Sequence, residues 1–283
     1  MEHVAERRAA VEDRLRAVVE GVEPAELEAG VDAAALGGGK RLRPALTLLV
    51  FEAAGGGESE RTTALDFAAG VELVHAASLV VDDIIDRSEV RRGEPSAWAA
   101  FGYGPALVTS DGLLGEAFAL FSGDPAATRV VADAMVELGE GEAIELVERP
   151  ESESAYLELA RRKTGALFRA AAELGALAAD ADAETVEAFG EYAERVGVAF
   201  QIRDDVLDAT ADSESLGKPT GTDEAMDRPS VLQVTGKRPE AVNELAHEQA
   251  TAARAALDGL DLPESEALRY LEALSSFAVE RER

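Results

Sequence analysis

Apolar residues recur at three- and four-residue spacing along most of this chain, the period of a helix with one buried face. That spacing predicts helices over residues 4–20, 40–55, 62–86, 105–121, 126–148, 152–178, 182–209 and 238–258. Ala, Leu, Glu and Arg, all good helix formers, fill these segments. Turn chemistry separates them: "LGGGK", "AAGGGES", "FGYGP", "SGDP", "ERPESES" and "GKPTGTDEAMDRP". No sustained alternation of period two is bounded by turns, so no strand is expected, and no repeat or low-complexity linker divides the chain. The 283 residues therefore read as one all-α helical bundle, a single domain over 1–283, with a long loop near 211–230. A loop of that length in a compact domain is usually functional or mobile.

Composition adds a constraint on partners. The formal charge of −29 argues against nucleic acid or an anionic membrane as the main partner, because both repel such a surface. Lys40, Lys163, Lys218 and Lys237 are the only lysines, so arginine carries most of the positive charge. An acidic, lysine-poor surface resembles those of halophilic proteins, where molar salt screens self-repulsion. At 47% hydrophobic residues with clear periodicity the chain is not a disordered acidic tail. No transmembrane segment is expected, since no stretch reads as the roughly 18 apolar residues that a span requires. The N-terminus "MEHVAERRAAVEDRL" lacks the apolar core of a secretory signal, and without cysteine there is no disulfide or thiolate chemistry. These points lead to the expectation of a cytoplasmic protein.

The stretch "ASLVVDDIIDRSEVRRG", residues 77–93, breaks an apolar run with three aspartates. Asp82 and Asp86, four apart, share one face of a helix with Asp83 beside them. Buried unpaired carboxylates are costly, so a core helix has no use for them. A second copy, "FQIRDDVLDATAD", puts Asp204 and Asp208 on one face with Asp205 adjacent. Chance gives one such cluster only about 0.1 times in a chain like this, and two far less often, which points to function. Paired carboxylates without nearby cysteine or histidine are hard oxygen ligands, suited to Mg²⁺ or Mn²⁺ shared with phosphates rather than to zinc or copper. The ligand spacing excludes an EF-hand. Spacing alone leaves paired-carboxylate proton transfer open.

Basic residues accompany both clusters. "LGGGKRLRP" is a glycine-rich turn opening a helix, with Lys40 and Arg43 where backbone N–H groups and the helix dipole favour phosphate. Arg91 and Arg92 follow the first cluster, and guanidinium forks fit phosphate oxygens. "RRKTGALF" contributes Lys163 and Thr164, and "LGKPTGTD" contributes Lys218. His75 lies two turns before Asp82 on the same face, placed either as a packed core residue or as a donor to a second phosphate.

Taken together, "GGGKRLRP", "ELVHAASLVVDDIIDRSEVRRG", "KTGALF" and "FQIRDDVLDATADSESLGKP" resemble the polyprenyl synthetase family of trans-isoprenyl diphosphate synthases, in order from about residue 37 to 223. The resemblance implies a terpenoid-synthase helical bundle around a central cavity, usually homodimeric. It implies a Mg²⁺-dependent prenyltransferase that adds isopentenyl diphosphate head-to-tail to an allylic diphosphate. By the same resemblance Asp82, Asp83 and Asp86, with Asp204, Asp205 and Asp208, hold three Mg²⁺ ions. Arg91, Lys163, Thr164, Gln201 and Lys218 would contact the allylic diphosphate. Lys40, Arg43, His75 and Arg92 would hold isopentenyl diphosphate. Small residues at Ala77 and Ser78, where bulky aromatics stop growth in short-chain members, imply a product of geranylgeranyl size or longer. Two departures stand out: Thr222 replaces a lysine usual near the diphosphate, and Ser110-Asp111 stands where Gly-Asp is common. Two alternatives are a class I terpene cyclase, whose second metal motif is absent around 204–212, and a non-catalytic partner subunit, which would typically lose an aspartate cluster.

Overall fold

The computed structural model describes residues 2–210, 229–260 and 262–280. The helices are α1 (Glu2–Val19), α2 (Ala25–Leu36), α3 (Leu42–Ala53), α4 (Arg61–Ile85), α5 (Ala97–Phe101), α6 (Tyr103–Phe121) and α7 (Pro125–Ala143). They continue with α8 (Glu153–Ala160), α9 (Ala166–Ala178), α10 (Ala183–Thr210), α11 (Val231–Thr235), α12 (Pro239–Asp258) and α13 (Glu266–Glu280). π turns extend α7 over Ile144–Glu148 and join α8 to α9 over Arg161–Gly165. Two short strands, β1 (Val90–Arg91) and β2 (Glu94–Pro95), form an antiparallel hairpin that the alternation pattern had not predicted. The expectation of an all-α bundle holds.

α9 occupies the middle, packed by α3, α4, α7 and α10, while α10 is flanked on its other side by α12. Its sequence "ALFRAAAELGALA" explains the position, since small residues let neighbours approach closely. A Cβ at Gly175 would stand 2.3 Å from the Thr47 carbonyl oxygen of α3. A second close approach matters for the site: a Cβ at Gly197 of α10 would lie 3.1 Å from Gly165 Cα, so the second π turn lies directly on α10. Phe67, Phe121, Phe168 and Phe189 fill the spaces between helices, each fully buried. Burial of such a side chain contributes about 1.5–3 kcal/mol.

One premise of the sequence reading, that no stretch is apolar enough to span a membrane, needs correction. α4 is long and apolar enough to cross a membrane, with a mean hydropathy of 1.6 over its best window. It escaped notice because Asp66, Glu72, Asp82 and Asp83 interrupt the apolar run. Inside the bundle 67% of that window is buried against other helices, which explains its hydropathy as that of a core helix.

Candidate active site

Both aspartate clusters lie at the C-terminal ends of long helices that pack on α9. α4 stops at Ile85, and the Asp86 N–H closes the last turn on the Asp82 carbonyl. Asp82 and Asp86 are half-buried, whereas Asp83 is only 3% exposed. A buried carboxylate requires a partner, and Arg91 of β1 supplies it. Arg91 Nη2 lies 2.6 Å from Asp83 Oδ1, and Nε lies 3.0 and 3.1 Å from the two oxygens. The hairpin turns on Arg92 and Gly93 with φ of 56° and 85°, the positive pair that a two-residue type I′ turn requires. Ser88 N–H to Asp83 O and Trp98 Nε1–H to Ser88 O fix the connection from helix to hairpin.

The second cluster repeats this plan with different partners. Asp204 is exposed, Asp208 half-buried, and Asp205 only 4% exposed. Asp205 Oδ2 accepts from the Tyr156 hydroxyl of α8 at 2.7 Å and from the Val231 N–H of α11 at 2.8 Å. Its Oδ1 accepts from Gln201 Nε2 at 2.9 Å, and Gln201 Oε1 accepts from the Thr164 hydroxyl at 2.8 Å. Thr164 and Lys163 belong to the second π turn, whose wider register faces them toward α7 and α10 together. Lys163 Nζ lies 3.1 Å from Glu142 of α7 and is also paired with Glu145 of the first π turn.

A third group of residues is strongly cationic. Arg41, in a left-handed conformation before α3, donates to Glu72 Oε1 at 2.6 Å and to the Ala35 carbonyl at 2.7 Å, both side chains being buried. Arg92 reaches the Gly38 carbonyl, so two arginines hold the ends of the glycine-rich turn that carries Lys40. The Arg43 guanidinium stacks over the Phe168 ring at 4.6 Å, a cation–π contact, while its buried Nε has no hydrogen-bond partner. Burial, with a smaller contribution from Arg92, lowers the Arg43 pKa to about 10. Burial first, and then Arg43, Arg92, Arg91 and Arg41, holds His75 well below the usual imidazole range. Around this neutral imidazole stand four guanidinium groups balanced by the Glu72 and Asp83 carboxylates. In a chain of charge −29 such a local excess of positive charge is suited to an anion.

The predicted residues therefore fall into three sets: Asp82, Asp83, Asp86 and Arg91; Lys163, Thr164, Gln201 and the second cluster; and Lys40, Arg43, His75 and Arg92. Lys218 and Thr222 lie outside the described residues. Ala77 is buried in the seam between α4 and α6, where Ser110 Oγ donates to its carbonyl. Ser78 is half-buried and donates to the His75 carbonyl. Sequence reasoning missed Arg41, Glu72, Glu142, Glu145 and Tyr156. A glutamate in the apolar run three residues before His75 was a usable signal for Glu72; Tyr156 offered none.

The donor chemistry accepts a hard divalent cation. Asp82 and Asp86, and likewise Asp204 and Asp208, give each helix end two carboxylates one turn apart. Among the described residues no three His, Cys, Asp or Glu side chains converge into a closed cage. An ion held there needs oxygens from water and substrate as well, the usual arrangement for Mg²⁺ with phosphate ligands.

A family model described as polyprenyl synthetase matches residues 24–258. A short chain isoprenyl diphosphate synthase of Methanothermobacter thermautotrophicus is 37% identical over 232 residues, 79% of this chain and 70% of that protein. A geranylfarnesyl diphosphate synthase of Aeropyrum pernix is 35% identical over 264 residues, 87% of this chain and 82% of that protein. The crystal structure of geranylgeranyl pyrophosphate synthetase from Pyrococcus horikoshii superposes with a TM-score of 0.88 at 30% identity, covering 99% of this chain and 98% of that one.

Proposed function

The chain belongs to the polyprenyl synthetase family, and from that premise we propose that it condenses isopentenyl diphosphate with an allylic diphosphate, releasing diphosphate and a geranylgeranyl or longer all-trans prenyl diphosphate. It is a trans-prenyltransferase, and the observation that carries the assignment of its site is the shared plan of the two aspartate clusters. In each, the middle carboxylate is buried and braced, while the outer two sit at a helix end beside groups suited to phosphate.

In this reading Asp82, Asp86, Asp204 and Asp208 hold the divalent ions, Mg²⁺ by preference, around the allylic diphosphate. When bound, such ions stabilise negative charge growing on the departing diphosphate. Arg91, Lys163, Thr164, Gln201 and Lys218 contact the same leaving group, adding fixed donors where charge develops. Lys163 is engaged by Glu142 and Glu145, so the substrate's phosphates compete with those carboxylates for its ammonium. Lys40, Arg43, Arg92 and His75 hold isopentenyl diphosphate in the cationic group. As the allylic C–O bond breaks, its electron pair leaves with the diphosphate. The double bond of isopentenyl diphosphate attacks the resulting cation, and a proton then passes to the departed diphosphate. No side chain is assigned as base. The apolar residues lining the helices keep water from the cation.

The reading includes a cytoplasmic, salt-adapted homodimer. The dimer is supported by exposed Tyr103, Leu107 and Val108 on α6, with Val136, Leu146 and Val147 beyond. The test is incubation at high KCl with Mg²⁺, isopentenyl diphosphate and each allylic primer in turn, reading product length. Elongation to twenty carbons or more is expected; no elongation with any primer would favour a non-catalytic partner. Ala77→Phe is expected to shorten the product by at least one isoprene unit, and unchanged length would remove Ala77 from the tunnel wall.

A further inference from the structure

We propose that Tyr156 is a positioning residue for this reaction: its hydroxyl fixes the Asp205 carboxylate and thereby sets the second aspartate cluster and the Thr164–Gln201 pair against one diphosphate. The inference rests on the reading above. It starts from the direction of four hydrogen bonds. A carboxylate only accepts and a backbone N–H only donates, so Val231 N and the Tyr156 phenol both point their protons at Asp205 Oδ2. Gln201 must then turn its amide nitrogen to Oδ1, which leaves its carbonyl for the Thr164 hydroxyl. The orientation of each group is dictated by the next, from α11 and α8 through α10 to the π turn.

Asp205 is thus occupied by three neutral donors on both oxygens and is 4% exposed, a geometry for bracing rather than for holding an ion. What it braces is the C-terminal end of α10, where Asp204 and Asp208 sit on either side of it. Tyr156 reaches this point from α8, 2% exposed and otherwise packed in the core. Its ring serves packing, and its hydroxyl serves the site. Removing that hydroxyl takes one donor from a buried carboxylate, and the carboxylate gains freedom to rotate. Asp204 and Asp208 then meet the ligand less well aligned, whereas the cationic group around His75, built from α3, α4 and the hairpin, is left as it was.

Tyr156→Phe tests this, because it keeps the ring and deletes only the donor. Calorimetric titration with inorganic diphosphate in the presence of Mg²⁺ should show binding about tenfold weaker, equivalent to about 1.4 kcal/mol. Isopentenyl diphosphate titrated without metal should bind as it does to the wild type. In turnover, the Mg²⁺ concentration for half-maximal rate should rise several-fold and kcat should fall, with KM for isopentenyl diphosphate unchanged. Tyr156→4-aminophenylalanine, which keeps a donor in the same place, should restore diphosphate binding. A lower Tm with Mg²⁺-dependent diphosphate binding unchanged would reduce Tyr156 to a structural residue and overturn the proposal, as would failure of the amino variant to rescue. Wild-type protein that elongates no primer would overturn the functional reading instead, and the diphosphate titration would still judge Tyr156.

Discussion

At the end of α4 the buried Asp83 meets one guanidinium, supplied by a hairpin eight residues further along. At the end of α10 the matching Asp205 meets a phenol from 49 residues away, a carboxamide one turn back and a backbone N–H 26 residues on. One brace is a local guanidinium; the other includes neutral donors, two of them from distant parts of the chain. The difference has consequences in both stability and chemistry. Arg91 also faces the proposed substrate, so a diphosphate must share it with Asp83, whereas the donors on Asp205 from Tyr156 and Val231 serve the carboxylate. The Arg91 brace is therefore exposed to competition and to salt, whereas the bonds from Tyr156 and Val231 are far less so.

The largest effects should fall on the outer carboxylates, in both clusters alike. Asp82→Ala and Asp204→Ala are each expected to lower kcat by about 10³-fold or more, a loss typical of removing a principal stabiliser of developing charge. Full activity in either variant would break the symmetry drawn here.

Stability should separate the two braces. Arg91→Leu leaves a buried carboxylate without its counter-charge, a change worth about 3–5 kcal/mol for a fully buried pair. Arg91 is one-third exposed, which brings the expected loss down to about 2 kcal/mol by chemical denaturation. Tyr156→Phe should cost about 1.5–3 kcal/mol, the worth of one hydrogen bond to a charged group. In molar KCl the Debye length shrinks to about 3 Å, so the Arg91 effect should diminish while the Tyr156 effect stays constant. Equal salt dependence of the two variants would mean that the braces do not differ in kind.

A pH effect concerns the cationic group. His75 is held below its unfolded pKa of about 6.5, so folding favours its neutral form. Its contribution is fully present above that pH. Below it the unfolded chain binds the proton first, and stability falls by up to about 1.4 kcal/mol per pH unit until the folded pKa is reached. Comparing wild type with His75→Gln by thermal melts between pH 7 and 5 isolates this slope; identical slopes would remove His75 from the ring of arginines.

The same contrast shows what was legible in the sequence. Long periodic helices were readable almost to the residue: 62–86 is Arg61–Ile85, and 182–209 is Ala183–Thr210. The segment 152–178 reads as one helix because apolar periodicity does not register a single extra residue, yet a π turn divides it and sets Lys163 and Thr164. Short α5, α11 and the hairpin have too few residues to show a period, whereas α2, with 12, is as long as α3 and went unread all the same. α13 is different: Ala267, Leu271 and Ala278 lie on its buried face at helical spacing, a signal that was present and overlooked. The aspartates announced themselves because charge in an apolar run is costly. Arg91, eight residues from Asp83, was within reach of the same reasoning. Tyr156 and Glu72 act on partners that only the folded chain brings near; Glu72 stands out as a charge in an apolar run, but no local pattern marks Tyr156.

Mn²⁺ binding in the presence of inorganic diphosphate, followed by electron paramagnetic resonance, tests most directly whether both helix ends act on one ligand. The account predicts that wild-type protein takes up diphosphate-dependent Mn²⁺, and that Asp82→Ala or Asp204→Ala alone weakens binding of the whole diphosphate at least tenfold. If either variant kept wild-type diphosphate affinity and lost only some of the metal, the two clusters would be separate sites, and the account would be contradicted.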